Sequence, residues 1–126
     1  MNEFQLINRL KSLLPLNDSV VVGAGDDCAV LAPPAAGQQQ LFKTDAVVEG
    51  IHFTKETPPE KIGRKALARC LSDIAAMAGT PSAALITLGL PQNHETQLVE
   101  GAYAGLNELA KEHQVAIVGG ETTTSP

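Results

Sequence analysis

Four short acidic motifs hold most of the residues in this chain that could do chemistry: Gly25-Asp26-Asp27, Thr44-Asp45, Ser72-Asp73 and Gly119-Gly120-Glu121-Thr122. Each acid stands beside Gly, Ser or Thr at the boundary of an apolar segment. Gathering carboxylates in such places is costly. They repel one another and lose hydration unless a hard cation such as Mg²⁺ lies between them. Divalent metal held by scattered Asp and Glu in turn suits a ligand that carries phosphate.

Each motif also has a plainer structural reading. Gly23-Ala24-Gly25-Asp26-Asp27 begins like a dinucleotide-binding loop but lacks the third Gly, and it puts two carboxylates where a pyrophosphate needs bare amides. Gly and Asp are equally at home in a turn between strands. Asp73 falls within about 20° of Ala66 and Ile62 on a helical wheel, at the margin of the apolar stripe Ile62, Ala66, Cys70, Ile74, Met77. A carboxylate there needs a partner, and Arg69 one turn earlier could be it. Thr44-Asp45 stands where a strand is expected to end, which is where α/β folds collect functional groups, or it starts a turn. Gly119-Gly120 would let the backbone approach a ligand closely, or would loosen the end of the chain. His52, between Ile51 and Phe53, could contact a ligand phosphate or serve as a structural histidine. Four acids in the same setting fit a shared cation better than four unrelated turns. The sequence has no P-loop and no Ser-His-Asp or Cys-His signature, so a nucleotide needs another device and nucleophilic catalysis is disfavoured.

Composition narrows the classes. At 126 residues the chain suits one domain, with ordinary apolar content and modest charge. A net charge of −5 without a basic stripe argues against nucleic-acid binding. Lys61, Arg64, Lys65 and Arg69 recur at helical spacing and read as a solvated face. Cys28 and Cys70 are isolated, which suits reduced thiols in the cytoplasm. No apolar run reaches transmembrane length and no signal-peptide pattern is present, so no membrane partner is expected.

The elements that must position the acids follow from periodicity. Asn2 can cap a helix through Leu6, Ile7, Leu10, Leu13 and Leu14, ended by Pro15. Val20-Val21-Val22 and Cys28 to Leu31 read as strands, followed by a loop from Ala32 to Gln40. Leu41 to Thr44 reads as a further strand, extended through Phe53. Thr57-Pro58-Pro59-Glu60 predicts a helix start with Thr57 as cap, and Gly79 and Pro81 stop that helix after Ala78. Ala83 to Leu90 is a strand. The spacing of Leu98, Ala102, Leu106 and Leu109 predicts a helix from about His94 to Glu112. Val115 to Val118 is the last strand, leading into Gly119-Gly120. Strands alternating with long helices predict an α/β architecture, a mixed sheet with helices packed on one face. Acidic site residues so close to the last position suggest the first half of a longer polypeptide.

At this point the residues resemble a family. Gly25-Asp26-Asp27-Cys28-Ala29-Val30-Leu31, Thr44-Asp45 with Glu49-Gly50-Ile51-His52-Phe53, Lys65-Ala66-Leu67-Ala68 and Ser72-Asp73-Ile74-Ala75-Ala76-Met77 look like thiamine-monophosphate kinases. These are a branch of the aminoimidazole ribonucleotide synthetase-like superfamily. The likeness extends over nearly the whole chain and covers that family's N-terminal domain only. It implies the superfamily's N-terminal fold over residues 1–126, whose sheets build a barrel across a homodimer, with the C-terminal domain lying outside this chain. ATP would bind near the dimer interface. Asp27, Asp45 and Asp73 fall on the family's Mg²⁺ ligands, with Lys43 and Thr44 beside them. Gly120 and Glu121 fall on the nucleotide and metal loop, and His52 on a substrate contact.

The implied reaction moves the γ-phosphoryl group of ATP to thiamine monophosphate. A phosphate acceptor is already ionised, so many acids and no general base suit it. Three positions depart from the usual pattern: Glu121 for Asp, Thr124 for Arg, and Lys43 for Ser or Thr. A cyclase or ligase of the same superfamily, and a non-catalytic nucleotide-binding dimerisation module, are the alternatives.

Overall fold

The chain runs α1 (Glu3–Lys11), β1 (Val20–Val22), β2 (Val30–Leu31), α2 (Pro59–Ala76), β3 (Ala83–Leu90), α3 (Thr96–Glu112) and β4 (Ala116–Thr124). This order comes from a computed structural model that describes residues 2–126. α1 opens on a reciprocal cap: the Asn2 side chain accepts from the Gln5 N–H at 2.9 Å, and the Gln5 side chain accepts from the Asn2 N–H at 3.0 Å. It buries Leu6 and Leu10. The helix ends at Lys11 rather than at Pro15. Its last turn tightens, with the Leu13 N–H on the Leu10 carbonyl and the Leu14 N–H on the Lys11 carbonyl. That leaves Leu13 59% exposed and turns Leu14 onto the core.

The core lies between a parallel strand pair and two helices. β3 and β4 pair in parallel from Ala83↔Ala116 to Leu90↔Thr124, a geometry that needs a crossover, here α3. Ala84 and Ile86 face inward with Val115 and Ile117, against Leu67 of α2 and Leu106, Leu109 and Ala110 of α3. Leu85 alternates outward and is 67% exposed. The expected mixed sheet is instead two separate ladders, since β1 and β2 form their own antiparallel pair. β2 is shorter than Cys28 to Leu31, because residues 25–28 are occupied by the turn.

Two further expectations change. The strand through Leu41 to Thr44 does not form: among the described residues, 41–47 make no backbone–backbone hydrogen bond. Among the described residues no strand pairs with them, and the segment lies along α2 instead. β4, conversely, continues past Val118 to Thr124. Ala84 pairs with Ile117 but Leu85 with Gly119, so Val118 is an extra residue at a bulge. At Gly120, with φ of +153°, a Cβ would fall 1.8 Å from the Ile86 carbonyl oxygen. Glycine therefore lets β4 resume its pairing after the bulge. α2 begins at Pro59 rather than through a Thr57 cap, because the Thr57 hydroxyl accepts from the Thr54 N–H. It ends in a Schellman turn, with Ala78 at φ 56° and the Gly79 N–H on the Ile74 carbonyl at 2.9 Å.

The two long helices cross with almost no side chain between them. A Cβ on Gly63 would meet the Ala102 carbonyl oxygen at 1.7 Å, and one on Gly105 would meet the Glu60 carbonyl oxygen at 1.9 Å. Both glycines are buried. Gly105→Ala must therefore push α2 away from α3 and loosen the shared core, an overpacking cost of about 1–3 kcal/mol. Urea denaturation should show a lower midpoint at unchanged slope, and an unmoved midpoint would contradict the crossing.

Candidate functional site

Seen from the residues upward, α2 carries a polar stripe. Lys65, Arg69 and Asp73 follow one another at a spacing of four, so they lie on one face of the helix. Each reaches the segment that has no ladder of its own. The Lys65 ammonium donates to the His52 carbonyl. Arg69 Nη2 lies 3.1 Å from Asp45 Oδ1, and Lys43 Nζ lies 2.7 Å from Asp73 Oδ2. At the far end Leu41 sits against Gly79, where an added Cβ would fall 2.5 Å from its Cδ1. Residues 41–52 thus run antiparallel to α2, tied by side chains where a strand would use backbone.

The charges alternate. Asp45 pairs with Arg69 and Asp73 with Lys43, so Arg69 is not the partner of Asp73 that sequence spacing offered. The Ala46 N–H, donating to Asp45 Oδ1 at 2.8 Å, and then Arg69 hold the Asp45 carboxyl below its ordinary value. The Asp73 carboxylate raises Lys43 above its ordinary 10.5. A raised folded value means the Lys43 contribution is complete below its unfolded value and is lost as pH rises through its folded value. Cys70 lies among these four groups. Burial first, and the Asp45 carboxylate second, push its thiol up. Among the described residues the buried Arg69 Nε has no partner.

The basic residues read as a solvated face divide differently. Arg64 forks onto Glu112 of α3 at 3.2 and 3.4 Å, and Lys65 and Arg69 hold the 41–52 segment. Lys61 has no ion pair among the described residues. Sequence spacing put these residues on a helix but could not show which neighbours that helix would meet.

The remaining candidates are dispersed. Asp27 is exposed in the turn between β1 and β2. The Lys11 ammonium lies close against Gly25 in the same turn, a neighbour that sequence reading missed because it comes from α1. Glu121 is exposed on β4 opposite Thr87, and Gly120 beside it makes its close approach to β3. Thr44 is exposed between Lys43 and Asp45. Among the described residues the Asp27 and Glu121 side chains have no hydrogen bond or ion pair. No group of three or more His, Cys, Asp or Glu side chains there stands close enough to hold a metal ion. The donor type nevertheless fits Mg²⁺ at Asp45 and Asp73: both present oxygens only, and each already has a side-chain cation standing in for a metal's charge.

Comparison with known proteins bears on this arrangement. Residues 25–126 match the family model described as AIR synthase related protein, N-terminal domain. The chain is 40% identical over 126 residues to the thiamine-monophosphate kinase of Bacillus subtilis, covering 99% of this chain and 38% of that protein. It is 43% identical over 103 residues to that of Synechococcus elongatus, covering 81% of this chain and 31% of that protein. The chain thus spans about a third of the length of these curated relatives. The crystal structure of thiamine-monophosphate kinase from Stenotrophomonas maltophilia superposes with a TM-score of 0.81 at 36% identity, over 100% of this chain and 39% of that one. A structure of AaThiL complexed with AMPPCP and TMP matches with a TM-score of 0.60 at 36% identity, over 61% of this chain and 25% of that one.

The pH dependence of Asp45 follows from its two partners. Its folded value is depressed, so its contribution is complete above the unfolded value near 3.8 and is lost as pH falls through the folded value. Arg69→Met should raise the Asp45 midpoint in a carboxyl ¹³C titration without restoring it fully, since the Ala46 amide remains. An Asp45 midpoint that does not move would show that Arg69 is not its partner in solution.

Proposed function

The chain belongs to the AIR synthase related family, its residues 25–126 forming that family's N-terminal domain, and on that premise we propose that it is the ATP-handling part of a thiamine-monophosphate kinase. The full polypeptide would transfer the γ-phosphoryl group of ATP to thiamine monophosphate, giving thiamine diphosphate. The observation that carries this is likeness to kinases of that name along the whole chain, at 40% identity in one relative and a TM-score of 0.81 in a crystal structure. The complex of AaThiL with AMPPCP and TMP supports the nucleotide and the acceptor together. The same relatives favour the kinase over the cyclase reading.

The residues suit phosphoryl transfer to a phosphate. That acceptor needs no general base, so alignment and charge neutralisation are the main demands. Asp45 and Asp73 would hold Mg²⁺ arriving with the nucleotide. Asp27, Thr44, Glu121 and the Lys43 carbonyl offer further oxygen donors, and the bound metal would neutralise charge on the phosphates. Arg69 and Lys43, whose charges the carboxylates use in this structure, are then available to phosphate oxygens. Gly120 supports this by keeping Glu121 on a strand that stays paired with β3.

Assembly as a homodimer belongs to the same proposal. Residues 41–47 carry unpaired backbone groups beside Phe42, which is 88% exposed. A second copy would satisfy both needs, as edge strands elsewhere are satisfied by pairing. The free thiols of Cys28 and Cys70 suit a reducing cytoplasm. Among the described residues no helix is long and apolar enough to cross a membrane.

The full-length protein, given Mg²⁺, ATP and thiamine monophosphate, should yield thiamine diphosphate on anion-exchange chromatography, and Asp73→Asn should abolish the product. Nucleotide binding without product would move the assignment to a different acceptor. Asp45→Asn should lose the rise in melting temperature that Mg²⁺ with AMPPCP produces by mass action. It should also cost some stability without ligand, because Arg69 loses its partner. For assembly, light scattering should show a dimer that Phe42→Glu converts to monomer, and a wild-type monomer at micromolar concentration would remove the dimer from the proposal.

A further inference from the structure

The turn at residues 48–53 is closed by its own hydrogen bonds. The Val48 N–H donates to His52 Nδ1 at 2.9 Å, and the His52 N–H returns to the Val48 carbonyl at 2.8 Å. The Gly50 N–H donates to the Phe53 carbonyl at 2.7 Å, with Gly50 at φ 81°. The Lys65 ammonium on the His52 carbonyl fastens this turn to a rigid element. The segment before the turn has no backbone ladder to hold it.

An imidazole nitrogen that accepts a backbone N–H carries no proton at that position. The neutral ring must then keep its proton on Nε2, away from Val48. We propose that Lys65 is a positioning residue: through the His52 carbonyl it fixes the turn on α2, and the turn holds His52 as a neutral Nε2–H donor aimed at the substrate phosphate. This rests on the reading that His52 meets thiamine monophosphate. A neutral donor suits that task. It orients an acceptor oxygen by a hydrogen bond while leaving the oxygen the negative charge it needs for attack. The Lys65 ammonium is used by a backbone carbonyl, which assigns it a role through the turn.

Hydrogen exchange and steady-state kinetics on the full-length protein separate the parts. Val48 has no acceptor besides the His52 ring among the described residues, so protection of its amide reports the lock directly. Lys65→Met should speed Val48 exchange by about tenfold or more. It should also raise KM for thiamine monophosphate several-fold, with kcat and the KM for ATP little changed. Lys65→Arg, which keeps a long donor, should restore both. His52→Asn keeps an acceptor for the Val48 N–H, but its amide N–H₂ ends short of the Nε2 position, so it should preserve protection and still raise KM. Unprotected Val48 in the wild type, or Lys65→Met with exchange and KM both unchanged, would overturn the proposal. Changed exchange with KM unmoved in both Lys65→Met and His52→Asn would overturn the substrate role of the turn. A wild-type protein that protects Val48 yet never phosphorylates thiamine monophosphate would sink the kinase reading, while the lock itself would stand.

Discussion

Backbone contact between α2 and α3 is the constraint on which the other features depend. With no Cβ at Gly63 or Gly105, carbonyl oxygens of one helix occupy space beside the α-carbons of the other. Such a crossing tolerates little rotation of either helix about its axis. Once the Gly63 and Leu67 side of α2 is pressed onto α3, the row Lys65, Arg69, Asp73 has one direction in which to point. That direction is toward residues 41–52, and the crossing therefore sets the alignment of a segment that touches neither glycine.

Along that row, electrostatics does what a ladder does in a strand. Three side chains of α2, spaced one turn apart, meet a backbone carbonyl, a carboxylate and an ammonium in sequence. Alternating sign matters here. Asp45 and Asp73 repel each other, and so do Lys43 and Arg69, but each acid is paired with a base from the opposite element, so both elements gain from docking. The contacts are partly solvated, so each is individually weak and salt-sensitive. Their arrangement along a rigid helix gives them direction more than strength.

How far the sequence revealed this depends on the range of the signal. The Asn2 cap, the approximate extent of α3 and the strand from Ala83 to Leu90 rest on contacts within a few residues, and they were legible. The expected placement of the acids at element boundaries holds for Asp27 in its turn, whereas Glu121 lies within β4, Asp73 within α2 and Asp45 in a segment that forms no strand. The strand expected at Leu41 to Thr44 was not reliable, because an extended apolar run states a tendency and only a partner edge makes it a strand. Val118 as a bulge was equally hidden, since register is a property of two strands together. Arg69 offers the sharpest case. Spacing on its own helix offered Asp73 as partner, yet a residue from another element, Asp45, took it. Gly119-Gly120 was read as close approach to a ligand, and the close approach in this structure is of Gly120 to Ile86 of β3.

Weak tethering of a functional segment has a physical rationale. A strand locked in a sheet can exchange a partner only by breaking several cooperative hydrogen bonds, whereas an ion pair at the surface can exchange one partner at a time. Residues 43–52 carry Lys43, Thr44, Asp45 and His52 of the candidate site, and the ion pairs on Lys43 and Asp45 are side-chain contacts that a charged ligand can replace. Elements that open most easily in folded proteins are those with few buried contacts and exposed hydrogen bonds. This segment fits that description, while α2 beside it is fixed by the glycine crossing. The division gives a rigid rail and an adjustable cargo. Loosening the rail by filling the crossing would disturb every tether at once, and cutting one tether would disturb only the part of the segment it holds.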